Sequence, residues 1–354
     1  MWAVDEGLVL LVVGAVLAAS ALAALFSART GIPVLVAFLV LGMLLGSDGP
    51  GGIDFDDAEL AREVGIVGLA LILFEGGLQT SWRRLRAVAV PAGLLSTVGV
   101  VVTALLTGAA ARALFDLSWL EAILLGAVVA STDAAAVFST LRFTHIRRRL
   151  ARTLEAESGG NDPMAIALTI GLIAWIENDD GDGLADLVLL VVRQLGLGLV
   201  VGVALGAAAT RVFARLPAAL GPFAPVASLA AVGLSFGVAD VIGGSGFLAV
   251  YLVGLAIGST PSRFRRQLVG FHEGVAFLAQ VALFIVLGLL VFPHELPAVA
   301  ASGLVLAAFL IAVGRPVAVW ASTAFQGFTT RERLLLGWAG LRGAVPIVLA
   351  TFVL

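Results

Sequence analysis

Across 354 residues the chain carries hydrophobic side chains at 60% of positions and charged ones at only 13%, with a mean hydropathy of +1.09, whereas a water-soluble domain keeps about a quarter of its residues charged. Most of it must therefore sit in a medium other than water. A net charge of −3 offers nucleic acid no partner surface, and the absence of cysteine excludes disulfides, thiolate metal sites and cysteine nucleophiles.

A helix needs about 20 apolar residues to cross a hydrocarbon core of about 30 Å. About twelve such runs follow one another, at 7–26, 33–45, 64–78, 87–111, 120–141, 154–176, 184–209, 223–239, 241–257, 274–291, 296–319 and 334–354. The first opens Met-Trp-Ala-Val-Asp-Glu without a basic leader, so it reads as a retained span and not as a cleaved signal. Basic residues fall on alternate loops: Arg29; Arg83, Arg84 and Arg86; Arg142, Arg147, Arg148, Arg149 and Arg152; Arg211 and Arg215; Arg263, Arg265 and Arg266; Arg331 and Arg333. The loops between them are acidic, with Asp48 to Glu63 and Glu177 to Asp186 the longest. Arginine-rich loops stay cytoplasmic, which predicts an N-terminus on the outside. His145, His272 and His294 are expected in or beside loops, so a buried imidazole metal site is not expected. The last run stops at Thr-Phe-Val-Leu with no polar cap or anchor, and a further C-terminal segment is expected.

An ionisable side chain near the bilayer centre costs at least about 2.5 kcal/mol on insertion scales, so each one asks for a role. Glu75 lies in the third run and Asp133 in the fifth, within ASTDAAAVFS, where Ser131, Thr132 and Asp133 compete with the backbone for hydrogen bonds and predict local unwinding. The sixth run holds the densest polar cluster, LEAESGGNDPMAIALT. On a helix Ser158 and Asp162 share one face and Glu157 and Asn161 the adjacent one, while Pro163 frees the Gly159 carbonyl. Carboxylate, hydroxyl and carbonyl oxygens are what a dehydrated alkali cation requires. In the seventh run Gly198, Gly202 and Gly206 predict close helix packing. Arg315 precedes Pro316 in the eleventh. In the last run, GWAGLRGAVPIVLA, Arg342 cannot shed its charge and needs an acid; Glu157 and Glu75 are the candidates, Glu157 the preferred one. Polar interruptions about seven runs apart fit inverted repeats, each contributing one broken helix to a central site.

The stretches LILFEGGLQT, STDAAAVFSTLR, ESGGNDPMAIALT, FHEGVAFLAQVALFIVLGLL and WAGLRGAVPIVLAT resemble the CPA1-type monovalent cation/proton antiporters, nearest to the bacterial potassium/proton antiporters of the NhaP2 or CvrA kind. The likeness runs from the third span to the end. It implies an all-α polytopic membrane protein with two crossing discontinuous helices, a single exchanger domain over residues 1–354, about twelve of roughly thirteen expected helices, and a homodimer in the plasma membrane of a bacterium. It makes Asp162 the cation- and proton-binding carboxylate with Asn161 beside it, puts Thr132 and Asp133 at the broken helix, and completes an alkali cation shell of Asp162, Ser158, Glu75 and Thr132. Glu157 and Arg342 become a structural ion pair.

The function expected is therefore secondary transport and not enzymatic catalysis: K⁺ or Na⁺ exchanged for H⁺ at Asp162, without a resident cofactor. An Asn in front of the acid, where electrogenic relatives have a second Asp, implies electroneutral exchange, and the resemblance implies a part in pH, cation and volume homeostasis. A cation channel is the nearer alternative. An intramembrane aspartyl protease built on Asp133 and Asp162 is a remote one, because it leaves Glu157, Asn161 and Arg342 without roles.

Overall fold

The computed structural model describes residues 6–30, 33–133, 146–178 and 183–353, and among these the chain is helical, with no strands. In lipid no water satisfies backbone N–H and C=O groups, so even runs rich in valine and isoleucine close their hydrogen bonds inside a helix. Helices α1 (Glu6–Thr30), α2 (Val34–Leu45) and α3 (Ala58–Gln79) lead to the short α4 (Trp82–Arg86). Next come α5 (Ala89–Leu114), α6 (Trp119–Val128), α7 (Arg148–Glu177) and α8 (Leu184–Arg215). The chain continues through α9 (Ala224–Val241), α10 (Gly246–Ser259), α11 (Arg265–Leu289) and α12 (Leu296–Thr323) to the paired short helices α13 (Thr330–Trp338) and α14 (Ala344–Thr351). Each expected span overlaps helical residues where it is described, and among the described residues six segments are long and apolar enough to cross a membrane by length and composition alone. Several helices outrun their apolar cores, as where α7 starts at Arg148, because arginines at a span end reach back to water along their own stems.

Two bundles result. In one, α3 lies on α10 and α11, α2 on α11, and α8 on α10. In the other, α5 packs on α6 and α12, α6 and α5 on α7, and α12 on α13. A hydrophobic cluster that includes Leu69, Phe284, Ile166, Leu172 and Leu349 fills the seam between them. Outward faces remain apolar: Leu10 is 74% exposed, Leu189 66% and Val200 65%, which suits acyl chains as the surrounding medium. The glycine series of α8 lies against α10, where a methyl on Gly202 would fall 2.8 Å from Leu252 Cβ.

The two halves of the chain contain interruptions at matching places. A π-helical turn, Leu95–Gly99, sits in α5 and another, Leu310–Gly314, in α12, just before Arg315 and Pro316. These are the fourth and eleventh expected spans, so the repeat offset inferred from the fifth and twelfth recurs in an adjacent pair.

One expectation is overturned. His272 does not flank a loop; α11 begins at Arg265, two turns earlier than its apolar run, and carries the imidazole into a fully buried position 2.8 Å from Ser228 Oγ. Phe74 stacks 4.6 Å away.

On the acidic face the loop after α2 is tied to the loop after α11. Asp48 accepts from the backbone N–H of His294 at 3.2 Å and also contacts its Nδ1. That side-chain hydrogen bond holds the imidazole above its ordinary range and the carboxyl below its own. The charged imidazolium thus helps the tether below an ordinary histidine pKa and is lost as pH rises through its raised value; the carboxylate helps above an ordinary aspartate pKa and is lost as pH falls through its lowered one. Full strength spans about pH 4 to 6.5. An NMR titration should show His294 protonating above the free imidazole range, and Asp48→Asn should return it to that range.

Candidate ion-binding site

α6 stops at Val128, and residues 129–133 leave the helix where Ser131, Thr132 and Asp133 offer alternative hydrogen bonds. The remainder of the fifth expected span, 134–141, lies outside the described residues. The twelfth breaks likewise, between Trp338 and Ala344. The two breaks cross. Asp133 N–H donates to Leu341 O at 2.8 Å, and Arg342 Nη1 donates to Ala130 O at 2.5 Å and Ser131 O at 2.6 Å. Unwound backbone groups that neither half-helix can satisfy are thus satisfied by the other. The charges are matched as well. Arg342 stands at the carbonyl end of α6, and the Asp133 carboxylate lies against Gly343, the residue that caps the N-terminus of α14. A β-carbon at 343 would collide with that carboxylate, so only glycine fits.

α7 attaches to this crossing through two consecutive residues. Ser131 Oγ donates to Asp162 Oδ1 at 2.6 Å, and Asn161 Nδ2 donates to Thr132 Oγ1 at 2.6 Å. Asp162, 8% exposed, lies at the closed end of a cavity of about 680 Å³ that also meets Ser158, Glu75, Asp133 and Tyr251 and extends to Gln79 and Arg84 at the basic end. Ser158 and Asp162 share the cavity face, and Glu157 and Asn161 are fully buried on the adjacent one, as helical spacing requires. Thr132 does not line the cavity; its hydroxyl is taken by Asn161. Glu75, on α3, accepts from Gln79, whose amide also reaches Glu273 Oε1 at 3.2 Å. Among the described residues no group of three or more His, Asp or Glu side chains is arranged to hold a metal ion.

The expected Glu157–Arg342 ion pair is not formed. Glu157 Oε1 pairs with Arg315 Nη1 at 2.6 Å, both side chains almost wholly buried, while Arg342 spends its guanidinium on the carbonyls of the crossing. The reason is demand: freed carbonyls at a helix end are a strong acceptor array, and Arg342 is the nearest donor in the chain's other break. Arg315, unassigned from sequence, supplies the charge that Glu157 needs; an arginine inside an apolar run must have a partner, and that requirement was the available signal. Ser131 was legible only as part of the interruption, not as the donor to Asp162. Nothing in the sequence marks Tyr251 or Glu155 as cavity residues, since their placement depends on how the bundles meet.

Removing one member of a buried pair leaves a naked charge, at a cost of about 3–5 kcal/mol. Arg315→Ala should therefore lower the thermal midpoint of the purified protein sharply. The double variant Glu157→Leu/Arg315→Leu should recover a large part of that loss, measured by melting in the same detergent.

Fold and site together define a multi-pass membrane protein with the architecture of an ion exchanger. Residues 15–354 match the family described as sodium/hydrogen exchanger, transmembrane, and the chain belongs to that family. It is 43% identical over 343 residues to the K(+)/H(+) antiporter NhaP2 of Shewanella sp. (strain MR-4), a match covering 96% of this chain and 60% of the relative. It is 41% identical over 352 residues to the K(+)/H(+) antiporter NhaP of Alkalimonas amylolytica, covering 98% and 60%. The chain thus spans about 60% of the length of these curated relatives. The solved structure of the sodium proton antiporter MjNhaP1 from Methanocaldococcus jannaschii at pH 8 matches with a TM-score of 0.83 at 24% identity, covering 98% of this chain and 86% of that one, which establishes the fold.

Proposed function

We propose that this chain forms the membrane part of an antiporter that exchanges a monovalent cation for protons, with cation and proton competing for Asp162. The observation that carries this reading is the position of that carboxylate: closed off on one side by Ser131 and the crossing, reached on the other by a cavity from the basic end. Ser158 and Glu75 stand on the same cavity and complete the oxygen set for a cation that has shed its water. Thr132 contributes through its bond to Asn161, which fixes the residue beside the acid.

Coupling follows from electrostatics. An ionised carboxylate carried bare through an apolar seam costs several kcal/mol, so the bundles exchange positions only when a proton or a cation neutralises it. Neutral Asn161 stands next to Asp162, so α7 offers one exchangeable charge at this point and the exchange is electroneutral. The names of both curated relatives favour potassium over sodium as the cation. With arginine-rich loops in the cytoplasm, the N-terminus lies outside and the cavity faces inward, in a bacterial plasma membrane, where such exchange serves pH, cation and volume homeostasis. The exposed apolar faces of α1 and α8 suit lipid and a second copy of the chain.

In inverted vesicles, adding K⁺ or Na⁺ should dissipate an imposed proton gradient, and Asp162→Asn should reduce that response to the level of vesicles without the protein. Undiminished dissipation by Asp162→Asn would refute the single-site scheme. An electroneutral exchanger should also turn over at the same rate with and without a potassium-independent membrane potential.

A further inference from the structure

The cavity holds one aromatic side chain that the exchange scheme leaves without a task. Tyr251 is the only tyrosine of the chain. It stands on α10, which the first bundle holds rigidly: Gly254 and Gly258 bring its backbone directly against Phe74 and Leu78 of α3. Its ring reaches across the seam to α7 of the second bundle. There it ends in the notch at Gly159, where a β-carbon would overlap the phenol Oη, Cζ and Cε2. Gly159 comes three residues before Asp162, so the ring seats itself on the helix that carries the working acid, one turn away from it.

The seat is specific to this arrangement. One turn along the same face of α7 lie Glu155 in one direction and Asp162 and Pro163 in the other, all with side chains that would fill the space the ring now occupies. Any displacement of the second bundle along the seam therefore unseats Tyr251. Tyr251 is 6% exposed, and Thr80, whose own hydroxyl hydrogen goes to Gly76 O at 2.8 Å, stands beside the phenol oxygen as an acceptor. Burying the ring favours the seated state.

We infer that Tyr251 is a positioning residue whose ring, seated on Gly159, latches the two bundles in the state open to the basic end. The inference rests on the exchange reading for its effect on turnover, but not for its effect on accessibility. Because the chain contains no cysteine, Gln280→Cys on the cavity wall supplies a single reporter, read as the rate of modification by a membrane-impermeant maleimide applied to the basic face.

Tyr251→Phe, which keeps the ring, should label at the parent rate and leave the half-saturating cation concentration unchanged. Tyr251→Ala should lower labelling several-fold. Gly159→Ala should lower it when Tyr251 is present and have no further effect in the Tyr251→Ala background. Labelling of Tyr251→Ala at the parent rate, labelling of Tyr251→Phe as slow as that of Tyr251→Ala, or a Gly159→Ala effect of equal size in both backgrounds would overturn the latch. Should Gly159→Ala fail to fold, the Phe and Ala variants at 251 still decide, since the latch requires the ring alone to preserve labelling. Labelling needs no transport, so a protein inactive as an exchanger still tests the latch, and an Asp162→Asn result against exchange leaves the labelling comparison intact.

Discussion

A backbone that breaks inside a bilayer has nowhere to send its hydrogen bonds, and this constraint shapes the centre of the molecule. Each of the two broken segments leaves peptide groups and a half-helix dipole uncompensated. They cross so that each supplies what the other lacks: Leu341 O takes the Asp133 N–H, Arg342 caps the carbonyl end of α6, and the Asp133 carboxylate sits at the N-terminus of α14. Neither break is stable alone. Because the two lie in different halves of the chain, the crossing also joins those halves.

From this fixed point the rest of the site can be traced outward. Ser131 and Thr132 are held by the crossing and in turn hold Asp162 and Asn161, so the polar segment of α7 is aligned by two short hydrogen bonds. The Glu157–Arg315 pair pins the adjacent face of α7 to α12. The face left over, with Ser158, Gly159 and Asp162, meets the cavity and the other bundle. Division of labour along one helix thus follows from its period: one stripe anchors, the next lines the cavity.

Much of this was legible beforehand. Span positions followed from hydropathy, and the breaks followed from clusters such as Ser131–Thr132–Asp133, where local hydrogen-bonding capacity is concentrated in an apolar run. The separation of Ser158 and Asp162 from Glu157 and Asn161 needed only helical geometry. What could not be read was pairing across distance. Arg342 and Arg315 both lie in the last third of the chain, each able in principle to reach Glu157, and only the folded crossing shows that carbonyls claim the first and leave the second for the acid. His272 escaped for a different reason: basic residues at the start of α11 looked like a loop, though they form helix that extends past the apolar core. Tyr251 carries no local signal at all, because its meaning lies in a glycine on another helix.

The guanidinium of Arg342 has a consequence for how the molecule can respond to acidity. Such a group keeps its proton throughout the physiological range, and the two arginines at the centre, Arg315 and Arg342, are both of this kind. The positive half of the central framework is therefore a constant, indifferent to the medium on either side. Any sensing of hydrogen-ion concentration at the crossing must be done by other groups, against a framework of arginines that does not itself titrate.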